Sequence, residues 1–234
     1  MRRVLLLLIL PVTVGFSQKK FDKADLMGKS EISFYGDTYL LRKEAHEAFL
    51  KMRESAAKEG IELKVISSYR SFEHQNSIWT RKYKRFTSSG MSPLDAIKKI
   101  IEYSTIPGTS RHHWGTDLDI VDGKPVQPKD VLLTKHFEEM GPYCKFKEWM
   151  DQNAESFGYF LVYNNDPKRE GFKYEPWHYS YGAISKPMLM DYQGLDLVEE
   201  LTKNEIIGHE YITKEFIETY FDKNLLDINP KLKN

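Results

Sequence analysis

The chain has 234 residues, in which 34 Lys and Arg balance 34 Asp and Glu, so the formal net charge is zero. This balance gives no sign of a nucleic-acid or anionic-membrane partner, which strongly basic proteins bind. The length suffices for one domain with a sizeable core and an additional segment. Cys144 is the only cysteine, which excludes an intramolecular disulfide and a cysteine-rich metal site.

The first residues predict a secretory signal peptide. A basic start at residues 1–3 precedes an apolar run over residues 4–14, and small residues follow up to Ser17. The alternative is an uncleaved anchor, but a membrane-spanning helix needs about 20 apolar residues, and this run is shorter and contains Pro11. We therefore expect a signal peptide over residues 1–17, export to the periplasm or cell envelope, and no integral membrane span after cleavage.

Helices and short strands follow in alternation. Apolar residues at helical spacing predict a helix over Leu41–Glu59, and alternation predicts a strand over Ile61–Ile66. Ser71 is placed to cap a second helix. Ser92 is placed to cap a third, which reaches about Tyr103.

The second half of the chain begins with a strand that carries paired carboxylates. Thr116–Val121 alternates, so that Leu118 and Ile120 share one face while Asp117 and Asp119 share the other. Further elements are predicted as a helix over Phe146–Phe157 and strands over Phe160–Tyr163 and Tyr174–Tyr181. This order predicts an α+β domain over residues 18–184, with a small antiparallel sheet flanked by helices. Residues 185–234 are charged and helical in pattern, which indicates a C-terminal helical extension.

Three separated residues could form one metal site. Catalytic zinc is usually held by three protein ligands of the His and carboxylate types, with a fourth position left open. His112 and Asp119 flank a Gly-containing turn into a strand, so both can converge on one point. His178 must arrive from a different strand.

Glu175 lies three residues before His178. Positions three apart on a regular strand face opposite ways, so Pro176 must mark a bulge or turn if the two side chains meet. Glu175 could then act as the general base for an attacking water and return the proton to the leaving amine. Each residue alone has a simpler interpretation: a packed histidine, a calcium-type or turn cluster around Asp119, or a salt-bridge partner.

Together the motifs resemble those of a known family. Ser-x-His-x-x-Gly-x-x-x-Asp at residues 110–119 and Glu-x-x-His at residues 175–178 follow Tyr-Arg-Ser at residues 69–71. This pattern resembles the zinc D-alanyl-D-alanine carboxypeptidases of the VanY type, whose relatives include VanX-type dipeptidases and phage L-alanyl-D-glutamate endopeptidases. The resemblance covers about residues 41–185 and implies a hedgehog-like fold, one Zn2+ per chain and peptidoglycan stem peptides as substrate.

The resemblance also implies roles for individual residues. His112, Asp119 and His178 match the zinc ligands, and Glu175 matches the catalytic base. Arg70 matches the arginine that stabilises the oxyanion, a task suited to a permanently charged guanidinium. Ser110 and Gln75 match positions that line the substrate cleft.

Two positions near the motif leave alternatives open. His113 directly follows His112, and the motif spacing selects His112 because only it lies seven residues before Asp119. Many relatives have a small residue at the position of Asp117. An Asp here could orient a metal ligand or tune the cleft.

The leading hypothesis is an exported D,D-carboxypeptidase that cuts the bond between two D-alanines. A stem-peptide endopeptidase or a D-Ala-D-Ala dipeptidase would use the same chemistry, and the loops over residues 83–109 and 123–141 would decide between them. Export counts against the dipeptidase, whose substrate is cytoplasmic. A non-catalytic zinc-binding module, as in hedgehog domains, is disfavoured because Glu175 and Arg70 are both retained.

Overall fold

The computed structural model describes residues 21–203 and 206–233. The predicted signal peptide at residues 1–17 lies outside the described residues. None of the described helices combines the length and apolar character that crossing a membrane requires.

The described part of the chain contains eight α-helices, most of them short. Ser71 and Ser92 cap two of them as predicted, because their side-chain oxygens accept hydrogen bonds from the backbone N–H groups of His74 and Asp95. The helices are α1 (Lys23–Leu26), α2 (Lys43–Lys58), α3 (Phe72–Ser88), α4 (Pro93–Ile100), α5 (Cys144–Asn153), α6 (Gly182–Gln193), α7 (Leu197–Thr202) and α8 (Lys214–Tyr220).

Four strands form one antiparallel sheet in the order β1-β2-β4-β3. Its strands are β1 (Leu63–Ser67), β2 (Asp117–Asp122), β3 (Tyr159–Leu161) and β4 (His178–Tyr181). Asp119 on β2 lies opposite Ser67 on one side and His178 on the other. This register places two of the expected metal ligands directly across from each other, and the sheet confirms the predicted α+β class.

Several predicted bounds differ from the structure by a few residues, such as the third helix, which ends at Ile100 and not near Tyr103, and two elements differ most. The strand expected over residues 174–181 begins only at His178, because the chain turns at Pro176 and Trp177 and the His178 N–H bonds the Glu175 carbonyl at 3.1 Å. The helix expected over residues 146–157 starts at Cys144 and ends at Asn153. A 3-10 helix over Ala154–Phe157 continues it.

The buried apolar residues form two clusters. One joins the sheet to α2 and α5 through side chains such as Phe49, Leu118 and Trp149. The other includes Trp79 of α3 and Tyr220 of α8. The C-terminal helices therefore share a core with α3. The division of the chain at residues 184 and 185 stays a prediction.

Candidate metal centre and active site

His112 is held by a single turn of 3-10 helix over Arg111–Trp114. Ser110 caps this turn, and Gly115 ends it in the left-handed conformation at φ 66°. A Cβ at Gly115 would lie 2.5 Å from the Phe34 ring, so only glycine fits there. The His112 Nδ1 donates to the Ser68 carbonyl at 2.9 Å, which leaves Nε2 directed at Asp119, 3.4 Å from its Oδ2.

The structure brings His112, Asp119 and His178 together. One potential ligand atom from each lies within 4.8 Å of the others, and all three side chains are buried. The Asp119 Oδ1 is buried without a hydrogen-bond partner in the described part of the chain, and His178 Nδ1 lies 3.9 Å from it. Two imidazoles and one carboxylate with an unsatisfied oxygen are a donor set expected of zinc. This group fits a single Zn2+ site.

His113 does not belong to this group. Its Nδ1 donates to the Arg70 carbonyl at 2.6 Å, and its Nε2 accepts from the Gly108 N–H at 3.1 Å. Burial lowers the pKa of His113 to about 3, so the ring is neutral. Both nitrogens are occupied by the backbone, in agreement with the choice of His112 from the motif spacing.

Glu175 reaches the site through the turn at Pro176. Its Oε2 lies 2.9 Å from His178 Nδ1, so the expected turn does bring the two side chains together. Glu175 is 7% exposed. Burial raises the pKa of this carboxyl, although the hydrogen bond from His178 acts in the opposite direction.

Arg70 is fixed from two sides. Its Nη1 donates to Gln75 Oε1 and its Nη2 donates to Ser67 Oγ, each at 2.8 Å. We expected Gln75 to line the cleft, but the structure places it behind Arg70. Gln75 is fully buried, and its amide nitrogen donates to the Thr105 carbonyl at 2.8 Å, so the side chain has no free face toward the cleft.

A cavity of about 420 Å3 lies beside the expected metal ligands. Glu175, Arg70 and Ser110 line it together with His112, Asp119 and His178, so Ser110 lies where the resemblance placed it. The two loops expected to decide which bond is cut both contribute to the lining, with residues 103–105 from the first loop and residues 132–134 from the second.

Asp117 lies behind His178, on the side away from Asp119. Its Oδ1 is 3.0 Å from His178 Nε2 and accepts from Arg111 Nε at 3.0 Å. Its Oδ2 accepts from the hydroxyls of Thr116 and Ser180 at 2.6 and 2.8 Å. Burial alone would raise the pKa of Asp117, but the guanidinium of Arg111 and the hydrogen bond from His178 hold it well below its usual range.

Comparison with known proteins places this geometry in a family. Residues 38–184 match the family model described as "VanY: D-alanyl-D-alanine carboxypeptidase". The chain belongs to the VanY family. It is 29% identical over 150 residues to a D-alanyl-D-alanine carboxypeptidase of Enterococcus faecalis, which covers 63% of this chain and 50% of that protein. A putative carboxypeptidase, YodJ of Bacillus subtilis, is 28% identical over 164 residues, covering 70% and 54%. The chain thus spans about half the length of these curated relatives.

Solved VanY structures share the fold. VanYB in complex with D-alanine-D-alanine has a TM-score of 0.55 at 22% identity, covering 81% of this chain and 95% of that chain. A VanY D,D-pentapeptidase mutant from a VanB-type resistance cassette, in complex with Zn(II), has a TM-score of 0.53 at 24% identity, covering 74% and 90%. These similarities confirm the predicted fold.

Lys82 is one of several cavity-lining residues of this VanY family member that are absent from the sequence-based predictions. Its side chain extends from α3 and makes no hydrogen bond or ion pair with another described residue. Burial lowers the pKa of its ammonium group, and the positive charge of Arg70 lowers it further. The sequence carries a signal for this position, because Lys82 lies four residues after Ile78, which also lines the cavity, and that spacing places both side chains on one face of the helix.

Proposed function

We propose that this VanY family member is an exported zinc metallopeptidase that removes the C-terminal D-alanine from peptidoglycan stem peptides. The observation that carries the proposal is the convergence of a buried His-Asp-His group, Glu175 and Arg70 on one cavity. A zinc-binding module without catalytic function would need neither of the last two residues. The carboxypeptidase relative in Enterococcus faecalis and the D-alanine-D-alanine complex of VanYB support this choice of substrate.

The metal would be held by His112 Nε2, His178 Nδ1 and the Asp119 carboxylate. When bound there, Zn2+ supplies Lewis-acid polarisation of the scissile carbonyl and a water of lowered pKa. Glu175 accepts the proton of the attacking water and then delivers it to the amine nitrogen of the departing D-alanine. Its position beside His178 keeps this carboxylate within reach of both events.

Arg70 stabilises the negative charge that develops on the carbonyl oxygen during attack. Gln75 and Ser67 each engage one of its terminal nitrogens, so the guanidinium is oriented before substrate arrives. A preorganised donor requires no reorganisation during the reaction, and losing one such donor typically costs a factor of about 10² to 10³ in rate.

Lys82 supports a carboxypeptidase over an endopeptidase. An unpaired, half-buried cation in the cleft would bind a free carboxylate, and the terminal D-alanine of a stem peptide supplies one. A peptide that continues past the scissile bond has no carboxylate at that position. Export, inferred from residues 1–17, would place the enzyme with such stem peptides.

The test is mass spectrometry of muropeptides after incubation with the purified protein and zinc. Loss of one D-alanine is expected, whereas release of a dipeptide or opening of a cross-link would replace this proposal by one of the two alternatives. Glu175→Gln should retain zinc and lose about 10² to 10⁴ in kcat. Glu31→Gln, on the exposed surface, serves as the matched control. Unchanged turnover in Glu175→Gln would refute the mechanism.

A further inference from the structure

We propose that Asp117 is a positioning residue for the metal centre, and that with Arg111 and Ser180 it holds the His178 imidazole so that Nδ1 faces the metal. The inference rests on the proposed zinc site of this chain and is independent of which peptide bond is cut.

The orientation of His178 is set by the partners of its two ring nitrogens. Nε2 lies 3.0 Å from the Asp117 Oδ1, and an ionised carboxylate can only accept a hydrogen bond. Nε2 therefore carries a proton. Nδ1 lies 2.9 Å from Glu175 Oε2, on the side of Asp119, whose Oδ1 is 3.9 Å away. Metal ligation requires a deprotonated nitrogen, so with the Nε2 proton held by Asp117 a metal ion would take the place of the proton that Nδ1 shares with Glu175.

Asp117 is itself held rigidly. It is fully buried and lies opposite Ser180 in the pairing of β2 with β4. Ser180 Oγ donates to its Oδ2, and Arg111 Nη2 donates to Ser180 Oγ at 2.7 Å. Arg111 also lies over the Trp114 ring, 4.6 Å from its centroid. Two strands and the 3-10 turn that carries His112 thus fix one carboxylate.

The charges of this cluster balance. Arg111 neutralises Asp117 through a bond of 3.0 Å, so the pair adds no net charge next to the ligands. A simple buried ion pair would be complete with Arg111, Thr116 and Ser180 as partners. The additional bond to His178 connects the pair to the metal centre, and loss of such an outer partner typically weakens metal binding by about 10- to 100-fold.

The test is the zinc dissociation constant, measured by competition with a chromogenic chelator. Asp117→Asn keeps the shape of the side chain but replaces the carboxylate by an amide, which can donate as well as accept. The double variant Arg111→Met with Asp117→Ala removes both charges, so no guanidinium is left unpaired. Both should raise the zinc dissociation constant by about 10- to 100-fold.

Asp122→Asn is the matched control. Asp122 is a buried carboxylate on the same strand, and its Oδ1 accepts from the backbone N–H groups of Glu62 and Lys124, away from His178. Its zinc affinity should stay within about threefold of the parent, below the outer-partner effect.

A second measurement detects the protonation of the His178 ring directly. In 15N-resolved NMR of the zinc-loaded protein, His178 should show a protonated Nε2 that exchanges slowly. In the double variant this proton should be lost to fast exchange. A merely structural role for Asp117 would change thermal stability but leave the zinc dissociation constant and this signal as they are in the parent, and that result would overturn the proposal. If zinc affinity falls as expected while the parent protein cleaves no muropeptide, the positioning role stands and the proposed peptidase activity fails.

Discussion

The Gln75 side chain accepts a hydrogen bond from Arg70 Nη1 at 2.8 Å, five residues along the chain and across the start of α3. This bond connects the first helix turn after β1 to the guanidinium that faces the cavity. The opposite end of the Gln75 amide bonds the Thr105 carbonyl. A residue that the family resemblance assigned to substrate contact therefore lies behind Arg70.

Gln75→Leu should lower kcat on a D-Ala-D-Ala-terminated pentapeptide by about tenfold, corresponding to about 1.4 kcal/mol. The physical reason is that Arg70 loses one of its two side-chain anchors, which weakens stabilisation of the transition state more than binding of the ground state. Steady-state kinetics measure the effect. Ser77→Ala, on the exposed face of α3, should leave kcat unchanged. An increase confined to KM would instead indicate that Gln75 contacts the substrate.

Arg70→Met should lower kcat/KM by about 10² to 10³, the usual loss for one oxyanion donor. Arg70→Lys should restore only part of the activity, because an ammonium group lacks the planar fork that Gln75 and Ser67 hold. Arg81→Met, exposed on α3, is the control. Full activity in Arg70→Lys would mean that charge alone is sufficient.

His112→Ala should abolish stoichiometric zinc binding, whereas His113→Ala should retain it. Both nitrogens of His113 are hydrogen-bonded to backbone groups. In His112 only Nδ1 is bonded to the backbone, at the Ser68 carbonyl, and Nε2 faces Asp119. Metal analysis after dialysis measures the zinc content. His113→Ala should instead lower thermal stability, because the Arg70 carbonyl and the Gly108 N–H lose their buried partner. The reverse pattern would assign the ligand to His113.

Lys82→Met should raise KM for a pentapeptide with a free C-terminal carboxylate by about tenfold, the equivalent of about 1.4 kcal/mol. The loss should be much smaller for the same peptide with a C-terminal amide, because that peptide offers the ammonium group no anion. Lys84→Met, on the exposed side of the same helix, is the matched control. Equal losses for both peptides would exclude recognition of the carboxylate by Lys82.

Tyr220→Phe should reduce the free energy of unfolding by about 1 to 3 kcal/mol. The Tyr220 hydroxyl lies 2.9 Å from Thr109 Oγ1 and accepts from the Ile106 N–H at 3.3 Å, and both partners are buried. Urea unfolding measures the change. Thr219→Ala, an exposed neighbour, should change the free energy by less than about 0.5 kcal/mol. Equal stability of the two variants would show that α8 does not support the loop before the His112 motif.

Much of the fold could be predicted from local pattern. The caps at Ser71 and Ser92 depend only on nearby backbone groups, so they were visible before the structure. The turn at Pro176 followed only from the condition that Glu175 and His178 meet. The strand bounds were less accurate. Residues 174–177 have strand-like composition, but a turn at Pro176 and Trp177 is closed by the hydrogen bond from the His178 N–H to the Glu175 carbonyl, and the strand starts only after it.

The sequence by itself determined the family, the α+β class and the choice of His112 over His113, because motif spacing and periodicity are properties of the linear chain. Only the tertiary structure decided what Asp117, Gln75 and Lys82 contact. Asp117 bonds His178 on β4, and Gln75 bonds the Thr105 carbonyl in the loop after α4. Lys82 lines a cavity to which several elements contribute. Hydrogen bonds between distant segments depend on strand register and helix packing, and neither can be computed from spacing along one segment.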